Sequence, residues 1–349
     1  MNYLFLLSRE DRGLAKEEIL AITNKNNIKI INNILILNIK NNKIINDLEK
    51  RLAYTKSIHQ LIFESNKKGF LKKFEGFQWN KIYKENFSIT ISSLINKKNN
   101  KNILKKLSGH SEKELAKYVW NSVKKPKVKL KDSKTQINIF VAKNKIFCSL
   151  LLKDIKNTFE ERKSHLRPRP SPISLHPKLA RAMVNLTGAK QKDTILDPFC
   201  GSGGILLEAG LIGMKTIGYD INKKMIWKSM INLKHYKIKN HKLGIKDFFG
   251  IKRKFKYIVA DLPYGLNSNI NERLRVTKAN RNEIKKFIDG FYTKIVKQLE
   301  KILTKKAVII FPSYVNYKRI IRDSKLKIKK EYESYIHNNL TRKILVLSK

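Results

Sequence analysis

The chain has 349 residues and a formal net charge of +47, from 75 Lys and Arg against 28 Asp and Glu. This length predicts about two or three domains, and the charge favours nucleic acid as a partner, although abundant lysine is also typical of AT-rich coding drift. Two cysteines exclude a disulfide framework, the histidines lack metal-ligand spacing, and no apolar run approaches the ~20 residues that span a bilayer. We therefore expect a soluble cytoplasmic protein without a metal site.

The first 155 residues show two short α+β patterns. In residues 1–60, YLFLL and NILILNI have the pattern of strands, whereas LAKEEILAI and IINDLEKRLAY have apolar residues at helical spacing. Residues 61–155 contain the strand FSITISS, the helical SEKELAKYVWNSV, and the strands QINIFVA and KIFCSLLL. The dipeptide Lys143-Asn144 between the last two predicts a hairpin turn. Two small domains, 1–60 and 61–155, are expected.

Residues 156–172 have the composition of a linker. HLRPRPSP (His165–Pro172) contains three prolines in eight residues, which favours extended backbone. Arg162, Arg167 and Arg169 fall within this stretch and are predicted to bind RNA phosphates. The alternative is that they pair with acids at the domain interface.

Residues 173–349 alternate strands with helices. The strands are TILDPF, KTIGYD, KLGIKDF, KYIVAD, AVIIFP, IKKEYESYIH and TRKILVL, and a long amphipathic helix precedes AVIIFP. Crossovers of this length predict a mostly parallel, Rossmann-like sheet. The short NNL connection between the last two strands predicts that the final strand is antiparallel.

Ligands of such sheets bind at the carboxyl ends of the strands, so these ends are the candidate site. The first strand leads into DPFCGSGG (Asp197–Gly204), where Gly201 and Gly203 would let a nucleoside cofactor approach the backbone. It is not a Walker loop, and Leu206 replaces the third glycine of the dinucleotide motif. Asp220 ends the second strand and suits two ribose hydroxyls, or else caps the next helix. After the third strand, Asp247 is suited to an adenine amino group, with Phe248 beside the ring.

The fourth strand ends in YIVADLPYG (Tyr257–Gly265). Asp261 and the carbonyl of Leu262 would accept hydrogen bonds from the exocyclic amine of a nucleobase, freeing the nitrogen lone pair for attack on an electrophilic methyl group. Pro263 would stiffen the turn, and Tyr264 would stack on a flipped base. Nothing at this strand end is shaped to receive a hydride, which argues against NAD. The alternative is a structural turn with Tyr264 as edge packing.

These motifs carry a resemblance. DPFCGSG with DLPYG resembles the amino-methyltransferases that use S-adenosylmethionine. RPRPSPISLHPKLARAMVNLTG, DPFCGSGGILLEAGLIG, DLPYG and LTRKILVL together resemble the archaeal THUMP-domain tRNA (guanine-10-N2)-methyltransferases. The front half is similar to the ferredoxin-like and THUMP parts of that family.

The resemblance implies a ferredoxin-like domain over 1–60, a THUMP domain over 61–155 that grips the tRNA 3′ end, and a methyltransferase domain over 173–349. It implies methylation of guanosine 10 at N2, once or twice. The residues that it implies for the cofactor are His176, Asp197, Pro198, Gly201, Gly203, Asp220, Ile221, Asp247 and Phe248. Leu262 stands where many relatives carry a second proline.

Three other functions remain open at this point. The catalytic motif would also serve N2-guanine methylation at another tRNA position or in rRNA. A DNA amino-methyltransferase is less favoured because a THUMP-like half has no role there. A non-catalytic RNA-binding or assembly factor would have no reason to keep acid, proline and aromatic together.

Overall fold

The structure is a computed structural model that describes residues 1–95, 109–172, 174–263, 281–337 and 340–349. The chain divides into two compact units. The first comprises Met1–Lys16, Lys25–Lys50 and Tyr54–Lys156, and the second comprises Glu17–Asn24, Arg51–Ala53 and Asn157–Lys349. Each unit contains a seven-stranded sheet. No helix in the described part of the chain is both long and apolar enough to cross a membrane.

The first sheet has the strand order β2-β3-β1-β4-β7-β6-β5. Its strands are β1 (Asn2–Leu7), β2 (Ile28–Ile31), β3 (Ile34–Asn38), β4 (Thr55–Ser65), β5 (Phe87–Ser93), β6 (Thr135–Val141) and β7 (Ile146–Asp154). The helices in this part of the chain are α1 (Arg12–Thr23), α2 (Ile44–Arg51), α3 (Lys67–Glu75) and α4 (Glu112–Ser122). Strands β5 and β6 are parallel, and the other recorded pairs are antiparallel.

Local signals explain two features of the first unit. The Ser111 hydroxyl accepts the N–H of Glu114 while the Glu114 carboxylate accepts the N–H of Ser111, a capping box that fixes the start of α4. The N–H of Ala142 donates to the carbonyl of Lys145 at 2.8 Å, which closes the β6–β7 hairpin. The predicted turn at Lys143-Asn144 is therefore confirmed.

The predicted boundary between residues 60 and 61 is wrong. Strand β4 crosses it and pairs with β1 on one side and β7 on the other, so the two halves share one sheet. Strand β4 is not recognisable from the alternation of apolar residues, because its buried positions include the polar residues Thr55, Ser57 and His59. The His59 ring is hydrogen-bonded to Ser57 at 2.8 Å, and burial lowers its pKa to about 3.

The second sheet has the order β10-β9-β8-β11-β12-β14-β13. Its strands are β8 (Thr194–Asp197), β9 (Lys215–Asp220), β10 (His241–Ile245), β11 (Phe255–Asp261), β12 (Leu303–Pro312), β13 (Lys327–His337) and β14 (Leu340–Ser348). The helices are α5 (Pro177–Leu186), α6 (Gly204–Leu211), α7 (Lys223–His235), α8 (Arg281–Ile302) and α9 (Tyr317–Arg322). Strand β14 is antiparallel to both neighbours, and the remaining pairs are parallel. The predicted Rossmann-like sheet of seven strands is confirmed.

The centre of this sheet positions the candidate site. Ile258, Val259 and Ala260 of β11 are fully buried, as expected of a strand covered on both faces. Strand β8 lies between β9 and β11, so the direction in which successive strands are added reverses beside it. Ligands of open α/β sheets bind at the carboxyl ends of strands at such a reversal.

The connecting segment (residues 157–172) is not the extended linker that its prolines predict. It belongs to the second unit and contains two single-turn 3₁₀ helices, Glu160–Arg162 and Ser164–Leu166. Phe159 and Arg167 are buried, and the Ser164 hydroxyl bonds both the N–H and the carbonyl of Ser171. The segment is therefore part of the folded unit.

Candidate active site

Three acids occupy the carboxyl ends of adjacent strands. Asp197 ends β8, Asp220 ends β9 and Asp261 ends β11. Asp197 is only 1% exposed, and burial raises its pKa well above the ordinary value, with the charges of Asp220 and Asp261 acting in the same direction. The N–H of Phe199 donates to Asp197 Oδ1 at 3.1 Å and opposes this shift. The three carboxyl groups therefore lie close enough to influence one another's protonation at this edge of the sheet.

The two glycines of the loop after β8 have different roles. Gly201 and Gly203 have φ of +51° and +86°, a backbone region that favours glycine. A Cβ on Gly203 would lie 2.5 Å from the Ser229 hydroxyl of α7, so this glycine permits close packing of loop on helix. A Cβ on Gly201 would meet nothing within 4 Å, so the backbone there borders open space.

Asp220 holds the glycine loop in place. Its Oδ2 accepts the N–H of Gly201 at 3.0 Å, and its Oδ1 accepts the N–H of Asn222 at 2.9 Å. The cap of α7 is Asn222, whose side chain accepts the N–H of Lys224, so the helix-cap alternative for Asp220 is wrong. Each carboxylate oxygen has a second lone pair available in principle for a ligand. The next residue, Ile221, is 70% exposed.

The end of β10 is arranged differently from what the sequence suggests. Asp247 caps the 3₁₀ helix Phe248–Gly250 and accepts the N–H of Phe249 at 3.0 Å. The ring of Phe248 is 2% exposed and packs on Phe199 with centroids 4.9 Å apart. Phe249 is 43% exposed. The ring available beside Asp247 is therefore that of Phe249, because the side chain of Phe248 belongs to the core.

The turn after β11 is held by residues that the sequence reasoning missed. Asp261 Oδ2 lies 3.7 Å from Nη2 of Arg342 on β14. Pro263 follows, and its carbonyl accepts the hydroxyl of Tyr292 at 2.8 Å; this tyrosine on α8 is fully buried. Tyr264 lies outside the described residues. Because Tyr292 and Arg342 are far from the motif in sequence, their contacts with it are seen only in the folded structure.

Leu262 lacks the rigid ring of a second proline but is held by a backbone hydrogen bond and by burial. Its N–H donates to the carbonyl of Ile310 on β12 at 3.3 Å, and its side chain is 1% exposed. A proline has no N–H and could not form this bond. Burial and the hydrogen bond therefore hold Leu262 in place without a proline ring.

His176 connects α5 to the connecting segment. It caps α5, and its Nδ1 accepts the N–H of Lys178 at 3.3 Å. Its Nε2, which then carries the proton, donates to Glu160 Oε1 at 3.2 Å. Pro198 is buried in the turn after β8.

The RNA-binding prediction is wrong for Arg162 and Arg167. Arg162 donates to both oxygens of Glu208, at 2.9 and 3.3 Å, and Arg181 contacts the same fully buried carboxylate at 2.8 Å. Arg167 is 3% exposed and donates to the carbonyl of Arg162. Neither guanidinium is presented to a phosphate in solvent. The alternative, that these arginines pair with an acid, is correct for Arg162. Its partner Glu208 lies on α6 within the second unit and not at a domain interface.

Arg169 is exposed and lies over the ring of Trp227, with Cζ 4.3 Å from the centroid. Of the three arginines, it alone keeps its guanidinium at the surface.

The strand order, with its antiparallel last strand, is that of the Rossmann-like methyltransferase fold. Solved structures support this fold. The crystal structure of TrmN from Thermus thermophilus has a TM-score of 0.52 over 100% of both chains, with 14% sequence identity. SMU.472, solved complexed with SAH, has a TM-score of 0.52 over 99% of this chain and 97% of its own, with 13% identity.

Comparisons of sequence are more specific. The model of the RMKL-like methyltransferase domain matches residues 164–344, and a DNA methylase model matches residues 8–230, which do not include the turn after β11. The tRNA (guanine(10)-N2)-dimethyltransferase of Methanothermobacter thermautotrophicus is 30% identical over 86% of this chain and 84% of its own. That of Methanocaldococcus jannaschii is 29% identical over 87% of both chains. The chain belongs to the family of tRNA (guanine(10)-N2)-dimethyltransferases, which confirms the resemblance seen in its motifs.

Proposed function

We propose that this protein transfers methyl groups from S-adenosylmethionine to the N2 amine of guanosine 10 in tRNA, once or twice. The observation that carries the proposal is the placement of Asp261 and the Leu262–Pro263 turn beside Asp197 at the reversal point of the sheet. The position in tRNA and the second methylation are supported by the named relatives.

The residues at the strand ends fit S-adenosylmethionine. The open space at Gly201 allows a ligand to approach the loop backbone, and the remaining lone pairs of Asp220 suit two ribose hydroxyls. The exposed side chains of Ile221 and Phe249 offer apolar surface for the adenine. When bound, the cofactor would supply an electrophilic methyl group at this edge of the sheet.

The turn after β11 would prepare the amine. An exocyclic amine is a weak nucleophile because its lone pair is delocalised into the base. Hydrogen bonds from the two N–H groups of the unmethylated amine to Asp261 and to the Leu262 carbonyl would turn the nitrogen towards tetrahedral geometry. The methylated nitrogen would release one of these protons to the Asp261 carboxylate, and a second transfer would proceed with the single N–H that remains. Arg342 orients the carboxylate and Tyr292 holds the turn, so both act through positioning.

We further propose that the first unit binds the 3′ end of the tRNA as a THUMP-containing region and that the protein acts in the cytoplasm. The single sheet that joins residues 1–60 to 61–155 would make this region one binding body. A tRNA without its 3′ CCA should bind the full-length protein more weakly than intact tRNA. Equal affinities would overturn the 3′-end assignment and leave the methyl transfer standing.

The decisive experiment compares tRNA transcripts that differ only at residue 10. Guanosine should become N2-methylated, whereas inosine, which lacks the amine, should bind equally well and remain unmodified. Nucleoside mass spectrometry distinguishes one methylation from two. Methylation at another position would support the related-substrate alternative, and tRNA binding without methylation would support a non-catalytic assembly factor.

A further inference from the structure

An exposed aromatic–cation pair lies next to the glycine loop. Trp227 on α7 is 44% exposed, and the Arg169 guanidinium lies over its ring at 4.3 Å. A single exposed aromatic side chain is ordinary on a protein surface. This pair is informative because its backbone is fixed and because further exposed apolar and basic residues adjoin it.

The backbone of Arg169 is fixed from both sides. The buried Asn232 accepts its N–H and donates to its carbonyl, each at 3.0 Å. The same side-chain amide donates to the carbonyl of Ser202 in the glycine loop at 3.0 Å. Lys228 adds a bond to the carbonyl of Pro170 at 3.0 Å. The backbone of Arg169 is thus held in place on the connecting segment and linked through Asn232 to the glycine loop.

The pair continues into one face of α7. Lys223, Trp227, Met230 and Lys234 follow at spacings of four, three and four residues, which places them on the same side of the helix. Met230 is 48% exposed. Beyond it lies a shallow groove of about 380 Å³, lined by Met230, Lys234, Lys237, Ile238, Lys239 and His241.

This face has only one sign of charge. From Ile221 to Lys246 the chain contains eight lysines and no Asp or Glu. Helix α8, in the same unit, carries Glu283, Asp289 and Glu300 among its basic residues. Lysine-rich coding drift alone would raise lysine in both helices and does not explain why only one of them lacks acids.

We propose that Arg169, Trp227 and the lysines of the outer face of α7 form a contact surface for the substrate RNA. The guanidinium donates to a phosphate, Trp227 and Met230 contact a base or ribose, and the lysines neutralise neighbouring phosphates. This inference rests on the proposed function, because it assigns the tRNA substrate a binding surface beside the methyl-transfer site.

The test uses full-length protein and a fluorescent tRNA transcript over a series of salt concentrations. Trp227→Ala should raise the Kd for tRNA about five- to fiftyfold, and Trp227→Phe should recover most of that loss. Arg169→Ala should make the slope of log K against log salt shallower by about one. Lys301→Ala, an exposed cation on α8, is the matched control and should change neither. Calorimetry should give an unchanged affinity for S-adenosylmethionine in each variant.

The outcomes separate this proposal from the proposed function. If the wild-type protein methylates tRNA while Trp227→Ala and Arg169→Ala bind it as Lys301→Ala does, the surface is not used and the methyltransferase assignment stands. Equal affinity with a lowered Tm would mean that the pair only packs, and loss of self-association in light scattering would mean that a second copy covers it; both overturn the proposal. A wild-type protein that binds no tRNA overturns both proposals.

Discussion

The hydroxyl of Tyr292 offers a sharp test of the turn after β11. Tyr292→Phe keeps the buried ring and removes the hydroxyl that donates to the carbonyl of Pro263 at 2.8 Å. A hydrogen bond of this kind contributes about 1 kcal/mol, so Tm should fall by roughly 2–4 °C. Loosening the turn misplaces the Leu262 carbonyl and the Asp261 carboxylate, and we expect kcat to fall about tenfold, equivalent to ~1.4 kcal/mol. The Kd for S-adenosylmethionine should not change, because the hydroxyl contacts no part of the glycine loop.

The assay measures methyl transfer to tRNA at saturating substrates, well below both melting temperatures. Tyr317→Phe is the matched control, because it removes a buried tyrosine's hydrogen bond to Glu331 elsewhere in the same unit. It should lose similar stability and keep its kcat. If the two variants lose activity equally, or neither does, the hydroxyl does not position the turn.

Three further predictions concern charged or titratable groups. Asp261→Asn should leave cofactor affinity nearly unchanged and slow methyl transfer by roughly 10²–10⁴; normal turnover would remove this carboxylate from the mechanism. Asp220→Asn can accept only one of the two N–H bonds now held, so calorimetry should show a Kd for S-adenosylmethionine raised about tenfold or more, whereas Asp247→Asn keeps its acceptor and should have a milder effect. Burial lowers the pKa of His59 to about 3, so the unfolded chain takes up a proton near pH 6.5 that the native state does not. The free energy of unfolding should then fall as pH falls from about 6.5 to about 3, by up to ~1.4 kcal/mol per pH unit, and in urea titrations His59→Gln should flatten this slope.

The methyltransferase sheet could be predicted from sequence because its central parallel strands β11 and β12 contain continuous apolar runs that end at an acid or a proline. Ile258–Ala260 before Asp261 is one such run, and its burial follows directly from its composition. Strand β4 could not be predicted in this way, since polar Ser57 and His59 occupy buried positions and satisfy each other there. Local pattern gives the strand ends but does not show which polar groups the core accommodates.

In the candidate site, too, some features follow from local sequence and others depend on contacts between distant residues. The acids at the strand ends could be located from the sequence because each of them directly ends a predicted strand. The choice between Phe248 and Phe249 depends on which ring meets Phe199, and the partners of the Asp261 turn depend on the neighbours of β11 and β12. These are contacts between distant residues, which spacing alone does not encode. The prediction for Arg162 and Arg167 was wrong because a basic, proline-rich stretch has the same composition whether it is solvated or buried.

The burial of Glu208 bears on how such an enzyme can be divided. A truncated protein that starts at the proline-rich stretch, where composition suggests a boundary, would lose Arg162 and leave the carboxylate with Arg181. Glu208 would keep Arg181 but lose both hydrogen bonds that Arg162 donates, and losing hydrogen bonds to a buried charged group is destabilising. A division upstream of the prolines would keep Arg162, but a cut at residue 157 would still remove Glu17–Asn24 and Arg51–Ala53, which belong to the second unit. The connecting segment has the composition of a dispensable linker, yet the second unit needs it in order to fold.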